Sequence, residues 1–302
     1  MAIVNLYLKE DMLNPTFYYG SVVGYSTSYL SLSNGIKSGT YHGLFDYSSV
    51  DTLSRSTITG YEGYTNGQLS SSVSGLSLLL SSLDSYSQSG NALGLYQNAL
   101  SGNDTINGSS FNDILLGFAG SDNINGGVGI DTAGYLSIRN NCSINKTLTG
   151  FTVSSSTDGT DILTGIERLK FSDTKLAIDL DGNAGLTVKI LGSVFGATFV
   201  SNKQFVGIGL QFLDGGMSYS DLMKLAIDTR LGAGASNTAV VNLLYTNVVG
   251  SAPGKADLDH FVGLLDSHTV TISGLGIMAA DTALNTTNIN IIGLAQTGIE
   301  FI

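Results

Sequence analysis

With 302 residues, the chain is long enough for two or three domains with buried cores. Its formal net charge is −11, and the 13 Lys and Arg are scattered, so no basic stripe exists to neutralise phosphates and nucleic acid binding is excluded. No window carries the ~20 apolar residues that a membrane span needs.

Only 12% of the residues are charged, while Gly (39 residues), Ser, Thr and Asn abound, a mix that suits turn-rich β structure. The acidic balance is compatible with cations and with a secreted protein that stays in solution. A single cysteine, Cys142, excludes an internal disulfide and reads as a small buried apolar side chain. The N-terminus, MAIVNLYLKEDMLNP, lacks the basic start and long apolar core of a cleavable signal. Alone, that would point to the cytoplasm.

The texture predicts a multidomain α+β chain. Residues 1–98 read as an all-β domain, with short β-prone segments at 27–33, 39–45, 56–61 and 69–73 between glycine turns. Its end, SLDSYSQSGNALGLYQNAL, reads as short helices with Leu83, Leu93, Leu95, Tyr96 and Leu100 on one side. Residues 99–180 form a glycine- and aspartate-rich segment and its flank. There SINKTL, FTVS and RLKFSD read as antiparallel strands capping what precedes them. Residues 181–302 show helical spacing, as at Phe205, Ile208, Phe212 and Leu213, then Leu222, Leu225 and Ile227 after a cap at Ser218 or Ser220. VKILGSVFG with FVGIGLQFLDGG parallels VNLLYTNVVG with FVGLLDS, which predicts two related helical hairpins.

Within LSGNDTINGSSFNDILLGFAGSDNINGGVGID an aspartate returns every nine residues, at Asp104, Asp113, Asp122 and Asp131. The pattern G-G-x-G-x-D-x-U-x (U a large aliphatic residue) describes a parallel β-helix that binds calcium. Its first glycine falls at Gly108, Gly117 and Gly126, its third at Gly102, Gly120 and Gly129, and U at Ile106, Leu115 and Ile124. The fourth copy has Ala133 at U, Phe111 and Phe118 take glycine positions, and Leu100 and Ser109 replace the second glycine. Aspartate supplies hard anionic oxygens, glycine turns supply carbonyls, and calcium takes six to eight such oxygens. Nine residues make half a coil, so Asp104 is expected to stack on Asp122 and Asp113 on Asp131. Asn103 and Asn112, beside two of the aspartates, join the expected ligand set. Four copies predict about two well-formed calcium sites between stacked loops.

This segment resembles the repeats-in-toxin (RTX) family of bacterial proteins exported by type I secretion, and the flank GGVGIDTAGY…DGTDILTGIERLKFSD resembles the segment that commonly trails such repeats. Residues beyond Asp181 resemble the helical DUF4214-type domain, through LLYTNVVGSAP and then DHFVGLL. Ser251 and Gly254 depart from that domain's usual Arg and Asp, and its tryptophan is missing. The resemblance implies a short parallel β-roll loaded with Ca2+, an uncleaved C-terminal signal at GIEFI recognised by a type I exporter, and release from a Gram-negative cell. Scarce intracellular calcium leaves the aspartates repelling one another; millimolar calcium outside drives folding.

Other candidates are weaker. DLDGNAG (Asp179, Asp181) partly imitates an EF-hand start but has Ile190 where the bidentate Glu belongs, and reads first as a turn. TDGTD (Asp158, Asp161) is likewise a turn first and a ligand cluster second. The three histidines, His42, His260 and His268, form no HExxH, and no GxSxG is present, so the chain reads as no enzyme. The expected role is a cell-surface structural protein of S-layer, matrix or adhesion type, self-assembling or holding surface glycan. The alternative is a secreted binder of glycan or haem through the N-terminal domain, with Tyr41–Gly43 as the haem candidate.

Overall fold

The first strand, β1 (Ile3–Leu6), organises the N-terminal half of the molecule. The computed structural model describes residues 1–302, which divide into two units, 1–173 and 174–302. In the first unit β1 is followed by β2 (Ser21–Ser26), β3 (Tyr29–Ser33), β4 (Lys37–Leu44), helix α1 (Val50–Ser54), β5 (Thr57–Thr65) and β6 (Gln68–Leu79). These strands form an antiparallel sheet in the order β1-β6-β5-β4-β3-β2. Asn66-Gly67 turns β5 into β6 with both residues at positive φ (51° and 77°), the geometry that Asn-Gly favours in a two-residue hairpin. Helices α2 (Leu80–Ser89) and α3 (Ala92–Ala99) come next, and Phe45, Ile58 and Leu78 form the small core to which Leu83 and Leu95 add. The strands and short helices expected over residues 1–98 are therefore present.

The aspartate-rich segment supplies β7 (Thr105–Asn107), β8 (Ile114–Leu115), β9 (Asn123–Asn125) and β10 (Thr132–Gly134). Its flank supplies β11 (Ser143–Lys146), β12 (Phe151–Ser155), β13 (Gly159–Thr164) and β14 (Arg168–Lys170). β7 pairs in parallel with β9, and β8 with β10, so alternate strands stack and each nine residues make half a coil. Two further half-coil pairs extend this stack. β1 lies parallel to β7, with Asp11 bridged to Ile114, while β13 lies parallel to β9 and β14 to β10. The flank is thus antiparallel only across β11-β12-β13; β13 and β14 continue the roll itself, a correction to the expected cap. Because β1 belongs to both the sheet and the roll, residues 1–98 and the roll share one unit.

The roll interior is two columns of apolar side chains. Val4, Ile106, Ile124 and Leu163 form one, and Met12, Leu115, Ala133 and Leu169 the other; none is more than 4% exposed. Period-two alternation on such short strands directs the U residue inward.

In the second unit, β15 (Lys175–Ala177) pairs antiparallel with the C-terminal β16 (Ile299–Phe301). Between them run α4 (Asn183–Ile190), α5 (Lys203–Asp214), α6 (Tyr219–Leu231), α7 (Asn237–Val249), α8 (Lys255–Asp266), α9 (Ile272–Ala280), α10 (Ala283–Asn288) and α11 (Ile291–Thr297). Ser218, not Ser220, caps α6, its hydroxyl accepting from the Asp221 amide. The buried stripe of α5 is Val206, Gly209, Leu210 and Leu213, while Ile208 and Phe212 face outward, one step round from the spacing read in sequence. The duplicated segments pack as α4 with α5 and α7 with α8. No helix is long and apolar enough to cross a membrane. Cys142 is buried and free, and burial pushes its thiol up from the ordinary range.

Candidate metal centre

Each repeat loop ends in an aspartate immediately before its strand, so the parallel pairing stacks carboxylates in two ladders. In the first, the Ala2 amide donates to Asp104 Oδ1, the Asp104 amide to Asp122 Oδ1 at 2.7 Å, and the Asp122 amide to Asp161 Oδ1 at 3.0 Å. In the second, the Glu10 amide donates to Asp113 Oδ1 at 2.7 Å, the Asp113 amide to Asp131 Oδ1 at 2.8 Å, and the Asp131 amide to Glu167 Oε2 at 2.8 Å. The four repeat aspartates and Asp161 are at most 3% exposed. Asp104 stacks with Asp122, and Asp113 with Asp131, as the half-coil argument requires.

The other carboxylate oxygen decides the chemistry. Asp104 Oδ2, Asp122 Oδ2 and Asp131 Oδ2 are buried with no hydrogen-bond partner. An uncompensated buried anion is costly, so these oxygens call for a cation. Nowhere do three His, Cys, Asp or Glu side chains gather into a metal cluster of their own. A hard cation here must therefore draw on carbonyls as well, which calcium does and zinc does not.

The glycines bring those carbonyls close. At Gly120, where φ is +126°, a side chain would strike the Gly102 carbonyl of the preceding coil. At Gly117 it would strike Asp122 Oδ2, the carboxylate of the same loop. At Gly126 it would meet the Gly165 carbonyl, with Asp131 Oδ2 at 2.8 Å. The Gly126 carbonyl in turn stands against Gly108. Gly129 packs on the Phe111 carbonyl with φ +149°. Gly108, Gly120, Gly126 and Gly129 thus serve close approach between coils and Gly117 within its loop, of these only Gly120 and Gly129 take positive φ, and at Gly102 a side chain would meet nothing nearer than Asp104 Oδ1 at 3.9 Å.

Asp113 differs from its counterparts. Its Oδ2 accepts from the Ser109 amide at 2.6 Å and the Ser109 hydroxyl at 2.8 Å, so the serine at the second-glycine position takes up the oxygen the others leave open. Ser109→Gly, which removes the hydroxyl donor and keeps the amide, is expected to raise calcium affinity at this loop, seen as tighter binding in a competition titration against a chromophoric chelator. Unchanged affinity would mean that the serine hydroxyl does not hold Asp113 Oδ2 away from the ion.

The side chains of Asn103 and Asn112 bridge neighbouring coils. Their Oδ1 atoms accept from the Ser121 amide (2.8 Å) and the Ile130 amide (3.0 Å), each eighteen residues on, stitching one coil to the next. Of the additional candidates, Asp161 joins the first ladder. Asp158 lies in the same turn, but its Oδ2 accepts from Ser155 Oγ at 2.8 Å and Ser137 Oγ at 3.1 Å. Asp179 holds the turn before α4, its carbonyl accepting from the Gly182 amide, and Asp181 is exposed beside it. Sequence reasoning missed Ala2, Glu10 and Glu167. The only available signal was the alternation VNL before Glu10 and the IERLKF run, neither of which carries the glycines of the motif.

Burial is the first reason that Asp122 and Asp131 are pushed up to about 7, with Asp161, Asp104 and Asp158 adding negative charge around Asp122, and Glu167 and Asp113 around Asp131. Asp161 is pushed up to about 6, again chiefly by burial. In the calcium-free chain the folded state therefore holds protons between pH 3.8 and about 7 that the unfolded state has released. That contribution to stability is complete below 3.8 and lost as pH rises through about 7. In chelator-treated buffer the melting midpoint is expected to rise from pH 8 to pH 5, while calcium affinity falls as protons compete. A flat profile without calcium would contradict the stacked anionic ladders.

Residues 98–133 match the RTX calcium-binding nonapeptide repeat, in four copies. This stretch is an RTX calcium roll. It binds calcium ions. The open Oδ2 atoms of Asp104, Asp122 and Asp131 and the glycine carbonyls are the groups in the RTX segment that fit the ion. The RTX match covers the repeats alone and leaves the sheet and the helical unit unassigned. A search of curated proteins found no match. Among solved structures the chain is similar to the extracellular lipase LipA from Serratia marcescens, at 19% identity and a TM-score of 0.19. That alignment covers 27% of this chain and 16% of the lipase, and extends to neither the overall fold nor the activity.

Proposed function

We propose that the protein is a calcium-dependent structural component of the bacterial cell surface, exported by a type I route and folded by calcium outside the cell. The buried, partnerless carboxylate oxygens of the ladders support the calcium step. Extracellular calcium modules bind at about 10⁻⁴–10⁻³ M, so the roll forms outside the cell and not within it. Assembly is supported by β2, which ends the sheet with one edge unpaired and presents Val22, Val23 and Tyr25 at 56%, 64% and 63% exposure. An unpaired apolar edge strand is a template for a second copy. In this reading the exporter recognises the stretch GIEFI at the end of the helical unit, of which Ile299–Phe301 form β16.

Light scattering and negative-stain microscopy of the full chain, with 5 to 10 mM calcium and with EGTA, test the reading. Ordered multimers that form in calcium and dissolve in chelator are expected. A strict monomer in calcium at high concentration would sink the structural role while leaving calcium folding intact.

A further inference from the structure

The apolar interior of the roll does not end at its first coil. Val4 and Met12 close the two core columns, and beyond them a cavity of about 160 Å³ opens between the N-terminal sheet and helices α2 and α3. Its floor is the N-terminal coil itself, through Val4, Leu6 and Met12, together with Leu100 at the start of the first repeat. Its walls carry Tyr18, Tyr41, Tyr61 and Tyr96, and the Tyr41 and Tyr61 rings stand 4.9 Å apart between centroids. Glu10 is the one charged residue on the lining; no Lys, Arg or His borders the space.

From this geometry we infer that the cavity is a calcium-gated binding site for a small uncharged aromatic molecule of the phenol or indole class. Size comes first. An apolar cavity of ~150 Å³ holds one benzene-sized ring, while cofactor pockets run to ~300–1,000 Å³, so a haem does not fit. A free sugar would bring hydroxyls that a mainly aliphatic lining cannot satisfy. Charge comes second. An anion would meet Glu10 with no Lys, Arg or His on the lining to hold it, Lys37 acting on Glu10 only from outside the lining, and a cation would lose its hydration among Leu and Val side chains. Tyrosine rings favour an aromatic guest by offset stacking, and a single ring hydroxyl or N–H can find the Glu10 carboxyl or a tyrosine hydroxyl.

The gate is a consequence of the ladders. The N-terminal coil is held to the roll by the Ala2 amide on Asp104 and the Glu10 amide on Asp113. Calcium that orders those loops also sets Val4, Leu6, Glu10 and Met12 in place as the floor. Without the ion, the floor goes with the roll. This step needs only calcium binding by the repeats, and is independent of any surface or assembly role.

Isothermal titration of the full chain with phenol, indole, benzoate and benzylammonium in 10 mM calcium, then in EGTA, tests both halves. Saturable binding of phenol or indole in calcium is expected, at least about tenfold tighter than either charged probe, and lost in EGTA. Ala92→Leu, which fills the cavity from α3, is expected to abolish it with the circular dichroism spectrum unchanged. No binding of any probe in calcium overturns the site. Benzylammonium binding as tightly as phenol overturns the uncharged class, and undiminished binding in EGTA overturns the gate.

Discussion

Asp122→Asn is expected to reverse the sign of its effect on stability when calcium is added. Asparagine keeps an Oδ1 to accept the Asp104 amide, now 2.7 Å away, so the coil-to-coil bond survives and only the charge is removed. Without calcium the wild-type carboxylate is a liability. It is buried, its Oδ2 has no partner, and Asp161, Asp104 and Asp158 surround it with like charge. The variant is therefore expected to melt above wild type in chelator at pH 8. With calcium at a hundred times its dissociation constant, each ion bound only by the folded state contributes about 2.7 kcal/mol, and the variant forfeits that for the ion it can no longer ligate. For a unit of this size the loss corresponds to roughly 5–10 °C in the melting midpoint. Asn103→Ala is the control, since its amide only stitches Ser121 to the first loop: a loss of about 1 kcal/mol is expected in both conditions alike. A variant at Asp122 that kept the full calcium-dependent rise, or was destabilised equally in chelator, would show that the ladder is not the ion site.

The part of this design that could be read in the sequence is the part with a short repeat. Nine-residue spacing makes a half-coil of fixed length, so Asp104 over Asp122 and Ile106 over Ile124 come from counting alone. Phe118 shows why degeneracy did not break the register: it takes φ +66°, a left-handed conformation, where the next loop has Gly127 at +95°. The non-local half was out of reach. Ala2 and Glu10 meet their aspartates across 102 and 103 residues, and nothing in NLYLKEDM marks it as a coil of the same roll. Glu167 was hidden for a different reason. The last coil is shorter, so its carboxylate stands 36 residues from Asp131, whereas Asp161 stands 39 from Asp122. A pattern built on 9 and 18 does not find such partners. The asparagines carry a role that spacing does not show: their side-chain amide oxygens take the Ser121 and Ile130 amides one coil on.

Calcium removal is expected to loosen the N-terminal strands β1 to β6 as well as the repeats, although none of these six strands contains a repeat residue. Strand β1 has two neighbours. On one side it pairs antiparallel with β6, Val4 opposite Val73, and on the other it pairs parallel with β7, Val4 beside Ile106. When the ladders repel and the roll opens, β1 loses the whole of the second side, including the Thr105 amide on the Ala2 carbonyl. The apolar stack ending in Val4 and Met12 is then exposed at its lower end, and burying two such side chains is worth roughly 1.5–3 kcal/mol each. What remains, β2 to β6 with helices α2 and α3, rests on a core of only Phe45, Ile58 and Leu78 with partly buried neighbours. A sheet with so small a core is marginal once its first strand is free. Hydrogen exchange in calcium is thus expected to protect β1 and β6 along with the roll. In EGTA, protection should vanish first in residues 2–12 and 99–173, and fall by about tenfold or more in β6, while the β3–β4 hairpin changes least. Should β1 and β6 stay protected in EGTA while the repeats exchange freely, the sheet is self-sufficient and the roll a mere appendage to it. Loss in both places would instead make the calcium roll the foundation on which the N-terminal sheet is built, and the repeats' ion the control on everything that sheet binds.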